Sequence, residues 1–238
     1  MEIKIGGFQK LTTLDYPGKL AAMVFTEGCN FRCPFCQNSE LVIGMGHDAE
    51  YYSHMYDEFM SYLISRHNML EGVVISGGEP TINEFGLLNF IEVVREYGLC
   101  VKLDTNGTRP SLLKFLLDQK AIDYVAMDVK SGSAEGYKSI TDCNFKDMDK
   151  IEGSISILKG SSIDYEFRTT VMKPYHTEED IHNICKMIAN SKKYAIQNYR
   201  YSENVINSDG LKGFDSSELE LFKNIASEYN IEKVEVRD

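Results

Sequence analysis

The sequence has no apolar run near the ~20 residues that a membrane-spanning helix requires, so no bilayer span is expected. Its opening, MEIKIGGFQKLTTLDYPGKL, lacks the basic-then-apolar layout of a secretory leader, and a cytoplasmic location is expected. Nor is there a block of Lys and Arg. With 25 basic and 36 acidic residues and a net charge of −11, the chain offers no footprint for a nucleic-acid backbone, and the acidity reads as solubility. Low-complexity tracts, long linkers and internal repeats are missing too. One domain is expected over residues 1–238, with a core at about 11–200 and a C-terminal helix and strand at about 215–236.

The most informative absence is a fourth clustered cysteine. The stretch CNFRCPFCQN places Cys29, Cys33 and Cys36, half of the six cysteines, within eight positions. In a reducing compartment clustered thiols favour metal over disulfide. A structural zinc site normally wants four ligands, and here His47 or His54 would have to complete it. That arrangement would make the chain a non-catalytic zinc-binding module. Cys100, Cys143 and Cys185 stand alone, Cys100 in a strand pattern and Cys185 on an apolar helix face, where cysteines simply pack. Three thiolates without a fourth suit a [4Fe-4S] cluster with one iron open, which signals chemistry rather than scaffolding.

Hydrophobic periodicity reads as an alternation of strand and helix. Strands are expected at 20–25, 73–76, 100–104, 124–128, 165–172, 194–199 and 231–236. Helices are expected at 48–67, 83–97, 111–117 and 148–159, then after Thr177 and after Asp215, where Asp180 and Glu218 suit capping boxes. This order predicts a parallel α/β sheet wound by right-handed crossovers, either a barrel short of eight strands or a doubly wound open sheet. Both architectures gather ligands at the C-terminal strand ends. The residues with chemistry fall there. The cysteine loop follows the first strand, GGEP (Gly77 to Pro80) the second, DTNG (Asp104 to Gly107) the third and DVK (Asp128 to Lys130) the fourth, while Arg168 lies within the fifth.

The pattern CxxxCxxC, with Phe35 before its last cysteine and GGEP downstream, resembles the signature of the radical S-adenosylmethionine (SAM) superfamily. The resemblance implies a partial (β/α)6 TIM barrel of the radical SAM type. It implies Cys29, Cys33 and Cys36 as ligands of a [4Fe-4S] cluster whose open iron is chelated by the amino and carboxylate groups of SAM. Reduction of the cluster would then cleave SAM to a 5′-deoxyadenosyl radical. Carried over position by position, the SAM contacts would be Phe35, Gln37, Gly77, Gly78, Glu79, Asp104, Asn106, Asp128, Lys130 and Arg168. Asp104, Thr105 and Asp128 would hold a monovalent cation beside SAM, since such cations prefer hard oxygen donors.

The stretch TTLDYPGKLAAMVFTEGCNFRCPFCQN resembles activating enzymes of pyruvate formate-lyase type, and is closer still to the activating proteins of anaerobic ribonucleoside-triphosphate reductase. That implies a glycyl radical enzyme as protein substrate, with flavodoxin or ferredoxin as electron donor. It also implies a catalytic Asp15 near SAM and the incoming glycine. The chain departs from the lyase activases at Gln37, where they carry His, and at IQNYR (Ile196 to Arg200), where they place a SAM-contacting His. The alternative within the superfamily is an enzyme acting on a small molecule, similar to 7-carboxy-7-deazaguanine synthase, whose N-terminal pattern is not seen here.

Overall fold

The apolar run AAMVFT forms β2 (Ala21–Thr26), and both of its edges are taken. On one side it runs parallel to β3 (Gly72–Gly77), from Ala21 opposite Gly72 to Thr26 opposite Gly77. On the other it pairs antiparallel with β1 (Ile5–Thr12), a strand that the period-two rule does not mark in IGGFQKLT. β3 pairs in parallel with β4 (Cys100–Thr105). Val73, Val74 and Ile75 have no exposed surface, as expected of a strand covered on both faces.

The computed structural model describes residues 2–44, 46–141 and 148–238, so Cys143 lies outside the described residues. The chain forms two compact units that interleave along the sequence. The first comprises Met1–Asn30, Glu40–Thr105 and Lys114–Val125; the second comprises Phe31–Ser39, Asn106–Leu113 and Ala126–Asp238. A short helix, α1 (Ser39–Ile43), follows the cysteine loop.

In the first unit α2 (Ala49–Arg66) and α3 (Glu84–Glu96) are the crossovers between parallel strands. Asp48 caps α2 by accepting from Tyr51 N, and Asn83 caps α3 by accepting from Gly86 N. On the apolar face expected of α2, Phe59 and Leu63 are fully buried and Tyr52 and Met55 half-buried. The Phe59 ring lies 5.4 Å from that of Phe8, so β1 contributes an aromatic lid to this helix.

In the second unit β6 (Asp164–Val171), β7 (Lys193–Asn198) and β8 (Lys233–Arg237) are all parallel. They are joined by α7 (Glu178–Ile188) and α8 (Ser216–Ser227), and both helices open on the expected capping boxes, Thr177 with Asp180 and Asp215 with Glu218. α6 (Met148–Lys159) buries Ile151, Ile155 and Leu158. Before it lies α5 (Ala134–Thr141), which the sequence pattern did not mark. α4 (Pro110–Asp118) and β5 (Tyr124–Asp128) each have residues in both units. At the start of β5, Asp123 N donates to Val101 O in the first unit (2.8 Å); past its end, Val129 N donates to Arg168 O in the second (2.8 Å). Along the chain β2 through β7 are each followed by a helix, which makes six β/α steps among the described residues, with β1 and β8 as additions.

Candidate functional site

In the first unit the ends of β2 and β3 fasten the start of the cysteine loop. Gly77 has φ +111°, and a Cβ there would lie 2.2 Å from Thr26 N, so only glycine fits. Gly78 N donates to Thr26 O (2.8 Å), and Glu79 N donates to Gly28 O, the residue before Cys29 (2.8 Å). A Cβ on Gly78 would lie 2.0 Å from that same carbonyl. The two glycines therefore let the GGEP backbone close onto the loop that carries Cys29.

Glu79 is 1% exposed, and its Oε1 accepts from Thr81 N (3.1 Å), the Thr81 hydroxyl (2.5 Å) and the Thr105 hydroxyl (2.8 Å). Its carboxylate caps the short 3-10 turn Pro80–Ile82 and ties that turn to the end of β4. Asp104 is likewise engaged at both oxygens: Oδ2 accepts from the Ser76 hydroxyl (3.0 Å) and Oδ1 from the Lys102 ammonium. Lys102 is 2% exposed, and its Nζ lies 5.9 Å from the centre of the Tyr124 ring. Asp15 closes its own loop, accepting from the Thr12 hydroxyl at 2.5 Å. His47 stacks on Tyr51 with ring centres 3.5 Å apart, and His54 is exposed on α2. Cys29 is half-buried.

The second unit holds the rest of the loop. Cys33 is buried and Cys36 half-buried, and neither is in a disulfide; Cys36 N donates to Cys33 O at 3.0 Å. The loop is anchored by Asn207 N donating to Pro34 O (2.9 Å) and by the Ser39 hydroxyl donating to Asn204 O (2.6 Å). Phe35 is buried, with the Lys130 ammonium 5.4 Å from its ring centre. Gln37 is exposed. Asn106 turns its Oδ1 to Thr108 N (3.1 Å) and the Thr108 hydroxyl (2.7 Å), the Asx turn expected of DTNG.

Asp128 receives Lys130 Nζ on Oδ2 (2.9 Å) and Arg168 Nε on Oδ1 (2.9 Å). Burial works against its charge, yet the Arg168 and Lys130 cations outweigh that effect and hold its carboxyl at about 2. For Lys130 burial again opposes the charge, and the facing Asp128 overrides it and raises the ammonium above its ordinary range. The Lys130 main chain is gripped at both ends. Its N–H donates to the Tyr137 hydroxyl (3.1 Å), and its carbonyl accepts from His176 Nε2 (3.1 Å). Because His176 Nδ1 accepts from Met172 N (3.3 Å), the ring carries its proton on Nε2.

Among the residues of these clusters that are not candidates read from the sequence are Lys102, Ser76, Tyr137 and His176. Lys102 had a signal: a lysine between Val101 and Leu103 in a parallel strand must be buried, and then needs a carboxylate. Ser76 adjoins GGEP and was readable as a hydroxyl at a strand end. Tyr137 sits in the unmarked α5, and His176 had no local pattern.

The donor set fits a cluster in its chemistry, three thiols outside any disulfide on one anchored loop. Among the described residues no three His, Cys, Asp or Glu side chains are placed to hold one metal ion. Residues 23–188 match the family model for the Radical SAM superfamily. A Methanocaldococcus jannaschii protein named as a glycyl-radical enzyme activating enzyme is 34% identical over 205 residues, covering 84% of this chain and 81% of its own length. The pyruvate formate-lyase-activating enzyme of Clostridium pasteurianum is 26% identical over 138 residues, 58% of this chain and 57% of its own. Among solved structures, a domain of the pyruvate-formate lyase-activating enzyme from Bacteroides vulgatus matches with a TM-score of 0.58 at 16% identity. That match covers 70% of this chain and 99% of the other, and it is a likeness of fold.

Proposed function

This chain belongs to the radical SAM superfamily, and from that membership we propose that Cys29, Cys33 and Cys36 ligate its cluster and that it activates a partner glycyl radical enzyme. Its fold is the α/β partial barrel of the superfamily, and its cofactors are a [4Fe-4S] cluster and SAM. When bound and reduced, these cofactors supply the 5′-deoxyadenosyl radical. The chain's own residues position and shield. GGEP clamps the loop at Gly28, Phe35 is buried beside the Lys130 ammonium, and Lys130 and Arg168 provide cations suited to the SAM carboxylate or ribose.

The observation that carries the activase reading is the similarity across 84% of the chain to a relative named as such an activating enzyme. The substrate is then a glycine Cα–H on a protein loop, and Asp15 is the acidic residue assigned beside it. We assign the partner to anaerobic ribonucleoside-triphosphate reductase, on the stretch from Thr12 to Asn38, with a flavodoxin or ferredoxin as electron donor and the cytoplasm as location. Among the described residues no helix is long and apolar enough to cross a membrane.

Two experiments test this. Anaerobically reconstituted protein should bind about four irons and cleave SAM on reduction, whereas Cys33→Ala should lose both while keeping its circular dichroism. A Cys33→Ala protein with a full cluster and SAM cleavage would remove the ligand assignment. Incubation with SAM, reductant and an anaerobic ribonucleotide reductase should give the electron paramagnetic resonance doublet of a glycyl radical. A radical formed on pyruvate formate-lyase instead would overturn the partner, and SAM cleavage with no protein radical on either would favour a small-molecule substrate.

A further inference from the structure

The resemblance assigns a monovalent cation to Asp104, Thr105 and Asp128, but the chain already fills those donors. Asp104 takes the Lys102 ammonium on one oxygen and the Ser76 hydroxyl on the other. The Thr105 hydroxyl donates to the buried Glu79. Asp128, in the second unit, takes Lys130 on one oxygen and Arg168 on the other. We propose that Lys102 is a built-in cation for Asp104, and that this enzyme binds SAM without an alkali metal.

Lys102 and Asp104 stand two residues apart on β4, so both side chains leave the same face of the strand. Lys102 is 2% exposed between fully buried Val101 and Leu103, and a charge so placed persists only when matched by an opposite one. Asp104 supplies that match, and its own charge is thereby balanced. A potassium or sodium ion placed on Asp104 would have to displace the ammonium or sit beside it on one carboxylate. Displacement would strand Lys102 in an apolar strand without a counter-charge, and sharing would set two cations together at low dielectric. Tethering also changes the entropy: an ammonium held by its own strand needs no capture from solution, so its site stays filled at any salt concentration.

The inference rests on the reading of Asp104 as part of the SAM site, and it is tested by SAM binding with no partner protein present. A failed activation assay and a failed cation test are therefore separable. Reconstituted holoenzyme is exchanged into tetramethylammonium chloride at constant ionic strength, then supplemented with potassium or sodium chloride, and SAM affinity is measured by calorimetry without reductant. Wild-type affinity should change by less than about twofold between these salts. Lys102→Ala should lose at least ~10-fold in SAM affinity in tetramethylammonium, and potassium or methylammonium should restore most of it. A wild-type enzyme that loses ~10-fold affinity without alkali metal overturns the proposal. So does a Lys102→Ala enzyme that binds SAM normally without alkali metal, because that outcome leaves Lys102 as a purely structural partner of Asp104. Should Lys102→Ala not fold, the wild-type salt comparison decides the alkali-metal requirement. The double variant Lys102→Met/Asp104→Asn then tests the pairing, because removing both charges should restore folding, and a double variant that also fails to fold overturns it.

Discussion

Asp104 and Asp128 stand at or near the ends of β4 and β5, and each is matched to a lysine two residues away, but in opposite directions along the chain. Lys102 precedes its aspartate, so it lies back within the strand among apolar neighbours and is 2% exposed. Lys130 follows its aspartate, so it lies beyond the strand, where its side chain is 11% exposed. Arg168 joins it from β6 with a side chain that is 16% exposed. The same residue pair thus does two jobs. Placed before the aspartate, lysine closes a buried ion pair; placed after it, lysine forms part of a half-open cluster of two cations on one anion. The net charge of each cluster follows: the first sums to zero and the second to a surplus positive charge, which suits the carboxylate of a bound amino acid.

The sharpest way to break this comparison is to remove each lysine in turn. Lys102→Met leaves Asp104 buried without its cation and should cost about 3–5 kcal/mol, the usual penalty for stranding one partner of a buried pair. Lys130→Met leaves Asp128 with Arg168 and partial water access, so stability should fall by only about 1 kcal/mol. In potassium buffer, where the ion stands in for a missing Lys102 ammonium, binding should reverse the ranking, with Lys130→Met weakening SAM by at least ~10-fold. Urea unfolding of both variants reads the first effect, and equal losses would show that the two pairs are alike after all. Lys102→Met/Asp104→Asn should recover most of the loss, because well-packed neutral residues replace a buried pair at little cost.

A smaller effect separates the clusters by acid. The Asp128 carboxyl lies at about 2 in the folded protein against an ordinary 3.8. A carboxylate depressed in this way binds fewer protons folded than unfolded. Its stabilisation is complete above the ordinary value and is lost as pH falls through about 2. The shift corresponds to about 2 kcal/mol. The stability gap between wild type and Asp128→Asn should therefore be constant from neutrality to mildly acid pH and should close below it. Cluster-free protein is the material to use, since acid destroys iron–sulfur centres. A gap that opens on acidification would mean that the cations do not hold Asp128 ionised.

Much of this arrangement was legible in the sequence, and the exceptions have physical causes. α6 follows Met148–Lys159 as expected because Ile151, Ile155 and Leu158 recur at helical spacing. β1 did not show because it is an edge strand of mixed burial, with bulges and two glycines, held by its ladder to β2 and by Phe8 meeting Phe59. α5 did not show because only eight residues form it and Gly136 interrupts them, although Tyr137, Ile140 and Thr141 do mark one buried face. At the site the cysteines, GGEP, DTNG and DVK announced themselves by type and by their positions at strand ends. The roles of the glycines were less visible: a sequence shows an open backbone, while only the fold shows that Gly78 is pressed against the Gly28 carbonyl. Pairing was the least legible feature, since VKLD shows that a buried lysine needs a carboxylate but not that the pair excludes a third charge.

The smallest expected effect concerns how the two lysines are held. Lys102 is fixed by the ladder of β4, whereas Lys130 lies past the end of β5 and depends on Tyr137 and His176 to hold its N–H and carbonyl. Burial lowers the His176 imidazole from its ordinary 6.5, so the folded protein keeps it neutral while the unfolded chain protonates it. The sign follows from that difference. Stability from this group is complete above about 6.5 and declines as pH falls below it, because there the unfolded state binds the extra proton. His176→Gln keeps a donor for the Lys130 carbonyl or an acceptor for Met172 N, but cannot align both in the space of the ring. It should lose about one net hydrogen bond, roughly 1 kcal/mol at pH 8. The variant should also lack the decline below about pH 6.5 that wild type shows, so the two stability curves converge on acidification. SAM affinity should drop by only about twofold to threefold, since Asp128 still steers the ammonium when its main chain loosens. Parallel curves for wild type and His176→Gln across this range would mean that folding does not change the protonation of His176 and that its grip on Lys130 does not titrate.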